Sequence, residues 1–196
     1  INEAFDENIN DPDYARKLFL VENCIYGVDI QEVAAQISKL RFFISLVVDQ
    51  KVDKAKPNFG IRALPNLETK FVAANTLIGI EKPKDQMHLF DNQAIKELEL
   101  ELKTVRHRLF SAKYPVTKRT LRNKDKEIRE KIGDLLIEHG WGNKTAKQLA
   151  GWDPYDQNTS SPFFDSEWMF DILDGFDVVI GNPPYLKERD NAHFFE

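Results

Sequence analysis

The feature that most constrains the fold is a short apolar run that ends abruptly in two prolines, at residues 176–185 (Phe-Asp-Val-Val-Ile-Gly-Asn-Pro-Pro-Tyr). The run 176–180 is rich in β-branched residues and has the length of a buried parallel strand. Pro183 and Pro184 have a fixed φ and no N–H group, and a residue before a proline is held in extended geometry. The sequence therefore predicts a strand with a stiff loop at its carboxyl end, where open α/β sheets bind ligands.

The loop carries groups that suit the chemistry of an exocyclic amine. Such an amine is a weak nucleophile on a heteroaromatic ring, because its lone pair is delocalised into the ring. The side-chain carbonyl of Asn182 and the backbone carbonyl of Pro183 could accept hydrogen bonds from its two N–H groups, and Tyr185 could stack on the ring. The alternative is an ordinary surface turn. We favour the catalytic interpretation because the tetrapeptide follows a predicted strand.

Asn-Pro-Pro-Tyr after Phe-Asp-Val-Val-Ile-Gly resembles the catalytic motif of amino-methyltransferases that use S-adenosylmethionine. Within these, it is most similar to the DNA adenine-N6 methyltransferases of restriction-modification systems, of the Eco57I type. The resemblance implies an α/β fold with a partial Rossmann-like class I methyltransferase sheet. It also implies S-adenosyl-L-methionine as cofactor and double-stranded DNA with a flipped adenine as substrate. The catalytic residues would be Asn182, Pro183, Pro184 and Tyr185.

A second landmark is the stretch 24–30 (Cys-Ile-Tyr-Gly-Val-Asp-Ile), in which a predicted strand ends in an acid and a helix over 31–47 follows. In this layout Asp29 either accepts hydrogen bonds from ribose hydroxyls or caps the helix, and the pattern alone leaves both open. The family resemblance favours the first: Asp29 would hold the ribose of the cofactor and Ile30 would pack on its adenine. The helix has one regular apolar face, formed by Val33, Ile37, Leu40, Ile44 and Val47.

A second short strand is predicted over 70–74, followed by Asn75. This segment resembles the third motif of the family, whose polar residue contacts the adenine amine of the cofactor, although many relatives carry Asp there. The alternative for Asn75 is a turn residue that ends the strand. We expect the strands near 24–29, 70–74 and 176–181 to be parallel neighbours in one sheet, with the 31–47 helix on one face.

Residues 90–140 differ in kind, because apolar residues at alternating three- and four-residue spacings predict a helical hairpin inserted into the sheet. The stretch 103–131 carries eleven basic and three acidic side chains in a chain of net charge −5. Four cations near the hairpin tip either contact DNA phosphates or form a solvated surface: Lys113, Lys118, Arg119 and Arg122. Residues 140–142 (Gly-Trp-Gly) follow a predicted helix and therefore indicate a helix stop.

The organisation indicates a fragment of a methyltransferase catalytic domain, since no glycine pair has the context of the Gly-rich loop with which such enzymes begin. We expect a lead-in over 1–20, an α/β core over 21–80 and 160–196, and the hairpin over 90–140. The isolated chain is expected to bind S-adenosylmethionine weakly or not at all and to be inactive without the missing N- and C-terminal parts of the parent enzyme. The alternatives are methylation of protein glutamine or RNA, and a non-catalytic DNA-binding module.

Several classes of protein are disfavoured by composition. No run of about 18 apolar residues occurs, so no membrane partner is expected. A single cysteine excludes an internal disulfide and is typical of a cytoplasmic protein. Neither His107 nor His139 has Cys or His neighbours at ligand spacing, so no metal site is expected.

Overall fold

The computed structural model describes residues 12–81 and 93–181. Its elements, in chain order, are α1 (Pro12–Asn23), β1 (Gly27–Asp29), α2 (Glu32–Val48), a short 3-10 turn (Pro57–Gly60), β2 (Phe71–Ala73), α3 (Gln93–Phe110), α4 (Pro115–Glu138), α5 (Asn143–Gly151) and α6 (Ser166–Phe170). The described part of the chain is thus a mixed helix and strand structure with a small sheet.

The sheet consists of β1 and β2, which pair in parallel with Gly27 opposite Phe71 and Asp29 opposite Ala73. A side chain at Gly27 would collide with the ring of Phe71, so glycine permits this close approach of the strands. Beyond β2, Ala74 forms an isolated parallel bridge with Ser161. The prediction of two parallel neighbouring strands is confirmed, although both are shorter than expected.

The prediction of a third strand over 176–181 is wrong for this structure. These residues form no strand pairing within the described ranges. Val178, Val179 and Ile180 are 74%, 80% and 93% exposed. A parallel strand needs hydrogen-bond partners along its edges and cover on both faces, and neither the strands nor the helices described here supply them.

The helical hairpin is present as α3 and α4 and forms most of the core, but it follows both strands of the described sheet, so its insertion between two strands stays a prediction. α3 and α4 pack along each other, and α5 packs on α4. Ile128, Ile132 and Leu136 of α4 are fully buried. The predicted helix stop is also present: Gly140 has φ +87°, and the N–H groups of Gly140 and Trp141 bond to the carbonyls of Ile137 and Leu136 at 3.1 and 3.0 Å. This pair of bonds is a Schellman motif, which requires the positive φ that glycine adopts without strain.

A buried ionic network joins the hairpin to the segment that follows it. The carboxylate of Asp125, fully buried in α4, accepts hydrogen bonds from Arg106 Nε at 3.0 Å, Arg129 Nε at 2.7 Å and the Tyr155 hydroxyl at 2.9 Å. Arg106 also donates to the carbonyl of Trp168 at 3.0 Å. Burial alone would raise the pKa of Asp125, but the two guanidinium groups outweigh it and lower that pKa.

The helix α2 buries a different face from its most regular apolar one. Ala35 and Leu46 are buried, and the ring of Phe42 lies 4.7 Å from that of Phe71 in β2. The apolar face with the regular spacing is exposed instead, and its five side chains are 39–66% accessible: Val33, Ile37, Leu40, Ile44 and Val47. Since α2 is apolar on two opposite faces, periodicity alone could not show which of them meets the sheet.

Candidate cofactor-binding edge

Asp29 is the last residue of β1, and its carboxylate is exposed at the carboxyl end of the strand. The oxygen Oδ1 accepts a hydrogen bond from the backbone N–H of Gln31 at 2.8 Å. Gln31 is the N-cap residue of α2, so this bond orders the turn before the helix and does not cap the first-turn N–H groups. The other oxygen, Oδ2, has no hydrogen bond to the described residues and is free to accept one from a ligand.

Ile30 lies beside this carboxylate and is 61% exposed. A large aliphatic side chain in this position is available to cover one face of a flat ring. The exposure of Asp29 and Ile30 together therefore leaves a polar and an apolar group side by side at the end of β1.

Asn75 lies two residues beyond the end of β2 and is half-buried. Its backbone N–H donates to the carbonyl of Ser161 at 3.0 Å, and its side-chain oxygen accepts from the N–H of Leu77 at 3.1 Å. Asn75 thus orders the turn after the strand, which agrees with its interpretation as a turn residue that ends the strand. The amide nitrogen Nδ2 has no partner among the described residues, so it could donate to an acceptor such as a ring nitrogen, and Oδ1 keeps a second lone pair for an amine.

The strand register brings these three residues to one edge. Because Asp29 is opposite Ala73, the turn that contains Asn75 starts at the level where β1 ends. A cavity of about 400 Å³ opens beside Asp29, between β1 and α2, and reaches Ser38 and Arg41. The register therefore places an exposed carboxylate, an exposed isoleucine and a half-buried amide near the carboxyl ends of two parallel strands, and the cavity runs from Asp29 along β1.

The predicted catalytic residues Asn182, Pro183, Pro184 and Tyr185 lie outside the described residues, so their geometry stays a prediction. The run that leads to them begins beside the sheet. The ring of Phe176 lies 5.9 Å from that of Tyr26, which directly precedes β1, and 6.2 Å from that of Phe170. The start of the run is thus anchored on the aromatic side chains of the core.

The four cations near the hairpin tip are not equivalent. Lys113 and Arg119 are exposed, Lys118 is half-buried, and none of the three forms a side-chain ion pair with a described residue. Arg122 instead pairs with Glu68 at 2.8 Å and lies over the ring of Tyr155 at 5.2 Å. A role for Lys113, Lys118 and Arg119 in phosphate contact stays a prediction, whereas Arg122 already bridges the hairpin to the segment before β2.

Sequence reasoning missed a larger cavity, of about 460 Å³, at the amino ends of the two strands. Lys70 lines it, with its ammonium 3.3 Å from the hydroxyl of Tyr26 and 4.4 Å from the centre of that ring. Burial lowers the pKa of Lys70 to about 8. Burial also raises the pKa of Tyr26, and Asp171 adds to this shift. Nothing in the sequence around Lys70 indicates that this lysine lies in a cavity beside Tyr26, because the contact depends on residues 44 positions apart.

No group of three or more His, Cys, Asp or Glu side chains in the described ranges is arranged to hold a metal ion. No helix there combines the length and apolar character needed to cross a membrane.

Helices packed on a two-stranded parallel sheet, with an acid and an amide near its carboxyl edge, define a protein of mixed helix and strand structure. Residues 23–195 match the family model described as the Eco57I restriction-modification methylase, and the chain belongs to this family. The resemblance seen in the sequence motifs is thereby confirmed.

A relative from Methanocaldococcus jannaschii, provisionally named a type II restriction enzyme and methyltransferase, is 26% identical over 249 aligned residues. The alignment covers 92% of this chain and 20% of that protein, so the chain spans about a fifth of the length of this curated relative. No solved structure gives a significant match to the chain.

Proposed function

We propose that this chain is part of a site-specific DNA adenine-N6 methyltransferase of a restriction-modification system. The reaction would transfer a methyl group from S-adenosylmethionine to an adenine flipped out of the duplex. The single observation that carries the proposal is the register of β1 and β2, which sets Asp29 and Asn75 at one edge in a chain of the methylase family. In this proposal β1 and β2 are two strands of a larger Rossmann-like sheet.

The residues at this edge fit the cofactor. Oδ2 of Asp29 would accept a hydrogen bond from a ribose hydroxyl, which is the role of an acid at a strand end in dinucleotide-binding sheets. Ile30, at 61% exposure, would pack on the adenine ring, and the amide of Asn75 would meet its polar edge. When bound, S-adenosylmethionine supplies an electrophilic methyl group on its sulfonium.

The motif at 182–185 would act on the target base. The side-chain carbonyl of Asn182 and the backbone carbonyl of Pro183 would accept hydrogen bonds from the two N–H groups of the adenine amine, which weakens the delocalisation of its lone pair into the ring and makes the nitrogen more nucleophilic. Pro184 restricts the backbone of the loop, and the ring of Tyr185 stacks on the base. Stacking offsets part of the cost of flipping the base, which is of the order of a few kcal/mol.

The decisive experiment is methylation of plasmid DNA by the polypeptide in its full genomic length, with modified bases mapped by sequencing. N6-methyladenine at one recognition sequence is expected. Methylation that appears on protein glutamine or on RNA, and not on DNA, would replace this proposal with its alternatives.

A second experiment tests the cofactor site. An Asp29→Ala variant of the same polypeptide should bind S-adenosylmethionine more weakly in calorimetry. Asp134→Ala, on the exposed side of α4, is the matched control.

A further inference from the structure

Lys70 carries a charge that forms no ion pair with the described residues. It lines the cavity of about 460 Å³ at the amino ends of β1 and β2, together with three other basic and two acidic side chains. These five are all paired: Lys103 with Asp171, His107 with Glu22 at 3.2 Å, and Arg106 with Asp125 at 3.0 Å. The cavity therefore holds a half-buried ammonium group without a counter-ion in direct contact among these side chains.

The surroundings of Lys70 present hydrogen-bond donors to the cavity. Of the three donors on its ammonium, one bonds to the hydroxyl of Tyr26 at 3.3 Å, and the other two have no partner among the described residues. The Tyr26 hydroxyl accepts this bond and keeps its own hydrogen to donate. Glu22 and Asp171 attract the ammonium only from a greater distance. Loss of hydration outweighs them and lowers the pKa of Lys70 to about 8.

Part of the cavity wall is apolar. Phe110, Met169 and Phe170 line it beside the charged groups. The volume lies within the range of small-molecule sites, which is roughly 300–1,000 Å³. Apolar surface beside a few convergent donors suits a ligand with an apolar body and one charged acceptor group.

We propose that this cavity binds a small organic anion, namely a carboxylate on an aromatic or branched body. The carboxylate accepts hydrogen bonds from the ammonium of Lys70 and the hydroxyl of Tyr26, and the body contacts the three apolar side chains. The site is separate from the candidate cofactor-binding edge, because it lies at the opposite ends of the same two strands. It goes beyond the proposed function, which assigns no ligand to the amino ends of the strands.

Ligand-observed ¹⁹F NMR with 4-fluorobenzoate tests the proposal in the polypeptide at its full genomic length. We expect the wild type to bind this probe and Lys70→Met to bind it at least about tenfold more weakly, because the charge-assisted hydrogen bond is lost. Tyr26→Phe keeps the ring and should weaken binding by roughly threefold. Lys144→Met, at an exposed position of α5, is the matched control and should bind as the wild type does.

The pH dependence of binding isolates the ammonium. The probe stays ionised above pH 7, whereas Lys70 loses its proton near pH 8. The dissociation constant of the wild type should rise by up to about tenfold between pH 7 and 9.5, and that of Lys70→Met should stay flat. The other charged and titratable groups around Lys70 are present in both proteins and cancel in the comparison: Glu22 of α1, Cys24, Tyr26, Lys103, Arg106 and His107 of α3, and Asp171 after α6.

A neutral probe makes the result specific for charge. 4-Fluorobenzamide has nearly the same shape and should bind the wild type at least about tenfold more weakly than 4-fluorobenzoate. Equal binding of the two probes, no binding of 4-fluorobenzoate, or equal affinity of the wild type and Lys70→Met would each overturn the proposal. Displacement of the probe by saturating S-adenosylmethionine would also overturn it. The readout does not depend on methyl transfer, so its failure leaves the proposed function untouched.

Discussion

At the residue scale, Asp29 and Asn75 each make one hydrogen bond that orders a turn and keep one further polar atom available for a ligand. Asp29 orders the turn before α2 through one oxygen and keeps the other available. Asn75 orders the turn after β2 through its side-chain oxygen and keeps its amide nitrogen. Residues of this kind combine folding and binding roles, so substitution should affect ligand affinity more than the fold.

The first prediction concerns the catalytic motif in the full-length polypeptide. Asn182→Ala removes one acceptor from the developing positive charge on the amine and should lower the rate of the chemical step by roughly 10²–10³. Tyr185→Phe keeps the aromatic ring and should be mild, whereas Tyr185→Ala should weaken productive binding of the flipped base. Single-turnover methylation with saturating DNA and cofactor separates these effects. A near-normal rate for Asn182→Ala would refute the assignment of this loop as the catalytic site.

The second prediction concerns Lys70 and pH. Burial lowers its folded-state pKa to about 8, from 10.5 for an ordinary lysine. Between these values the unfolded chain holds a proton that the folded chain has released, so the free energy of unfolding gains a contribution that rises with pH. Lys70→Met should therefore stabilise the protein at pH 7, and its advantage over the wild type should shrink toward pH 10.5.

Urea unfolding of both proteins at several pH values measures this difference, and Lys144→Met, at an exposed position of α5, is the control. A pH-independent difference between the Lys70→Met variant and the wild type would show that burial of Lys70 does not shift its titration.

At the scale of elements, α4 contacts α5 through close steric packing and contacts α3 through one buried carboxylate. α4 approaches α5 at Gly133, where an added Cβ would lie 2.7 Å from the Cβ of Ala150. Elsewhere in α4, Asp125 holds Arg106 of α3 and Arg129 of its own helix. Steric fit and charge pairing therefore act at different points of the same helix.

The third prediction tests the steric contact. Gly133→Ala should lower the free energy of unfolding by about 1–3 kcal/mol, because overpacking at the α4–α5 contact outweighs the better helix propensity of alanine. Gly151→Ala, in α5, is the matched control, since its Cβ would meet open space. Chemical denaturation of both variants should separate them, and equal stabilities would show that the two helices can move apart at no cost.

The fourth prediction tests the charge. Asp125→Asn leaves Arg106 and Arg129 buried without a counter-charge and should cost about 3–5 kcal/mol of the free energy of unfolding. Asp134→Asn, at an exposed position of the same helix, should have almost no effect. Thermal or urea unfolding provides the comparison. A small effect at Asp125 would mean that water or a structural shift satisfies the two guanidinium groups.

At the scale of the whole molecule, charge is distributed unevenly. The hairpin tip carries Lys113, Lys118 and Arg119 without ion-pair partners among the described residues, in a chain whose net charge is −5. A local cationic surface on an acidic chain can direct a nucleic acid to one side of the protein. Arg122 contributes less to such a surface, because Glu68 neutralises it.

The fifth prediction is a change in the salt dependence of DNA binding by the full-length polypeptide. If the three free cations contact phosphates, replacing all three by Ala should make the slope of log K against log salt shallower by up to about 3, at roughly 0.9 per contact. Replacing the exposed Lys144 and Lys147 of α5 should leave the slope unchanged. An unchanged slope in the triple variant would establish the tip as a solvated surface.

Local patterns in the sequence were sufficient for much of this molecule. The hairpin and the stop at Gly140 follow from short-range periodicity and the conformational freedom of glycine, whereas the parallel pairing of the strands at 27–29 and 71–73 was expected from the family resemblance. The same patterns placed Asp29 and Asn75 at strand ends, and the parallel register then brought them to one edge. The family followed from one motif in its context.

Only the tertiary structure decided which apolar surfaces are buried and which charges are neutralised. Periodicity cannot distinguish the two apolar faces of α2, and the face with Ala35 and Leu46 is the one that packs on the sheet. The run 176–181 has strand character, yet β structure requires a hydrogen-bonding neighbour, and none of the described segments provides one. Arg122 and Lys70 look like surface cations in the sequence, but long-range packing pairs the first with Glu68 and half-buries the second beside Tyr26.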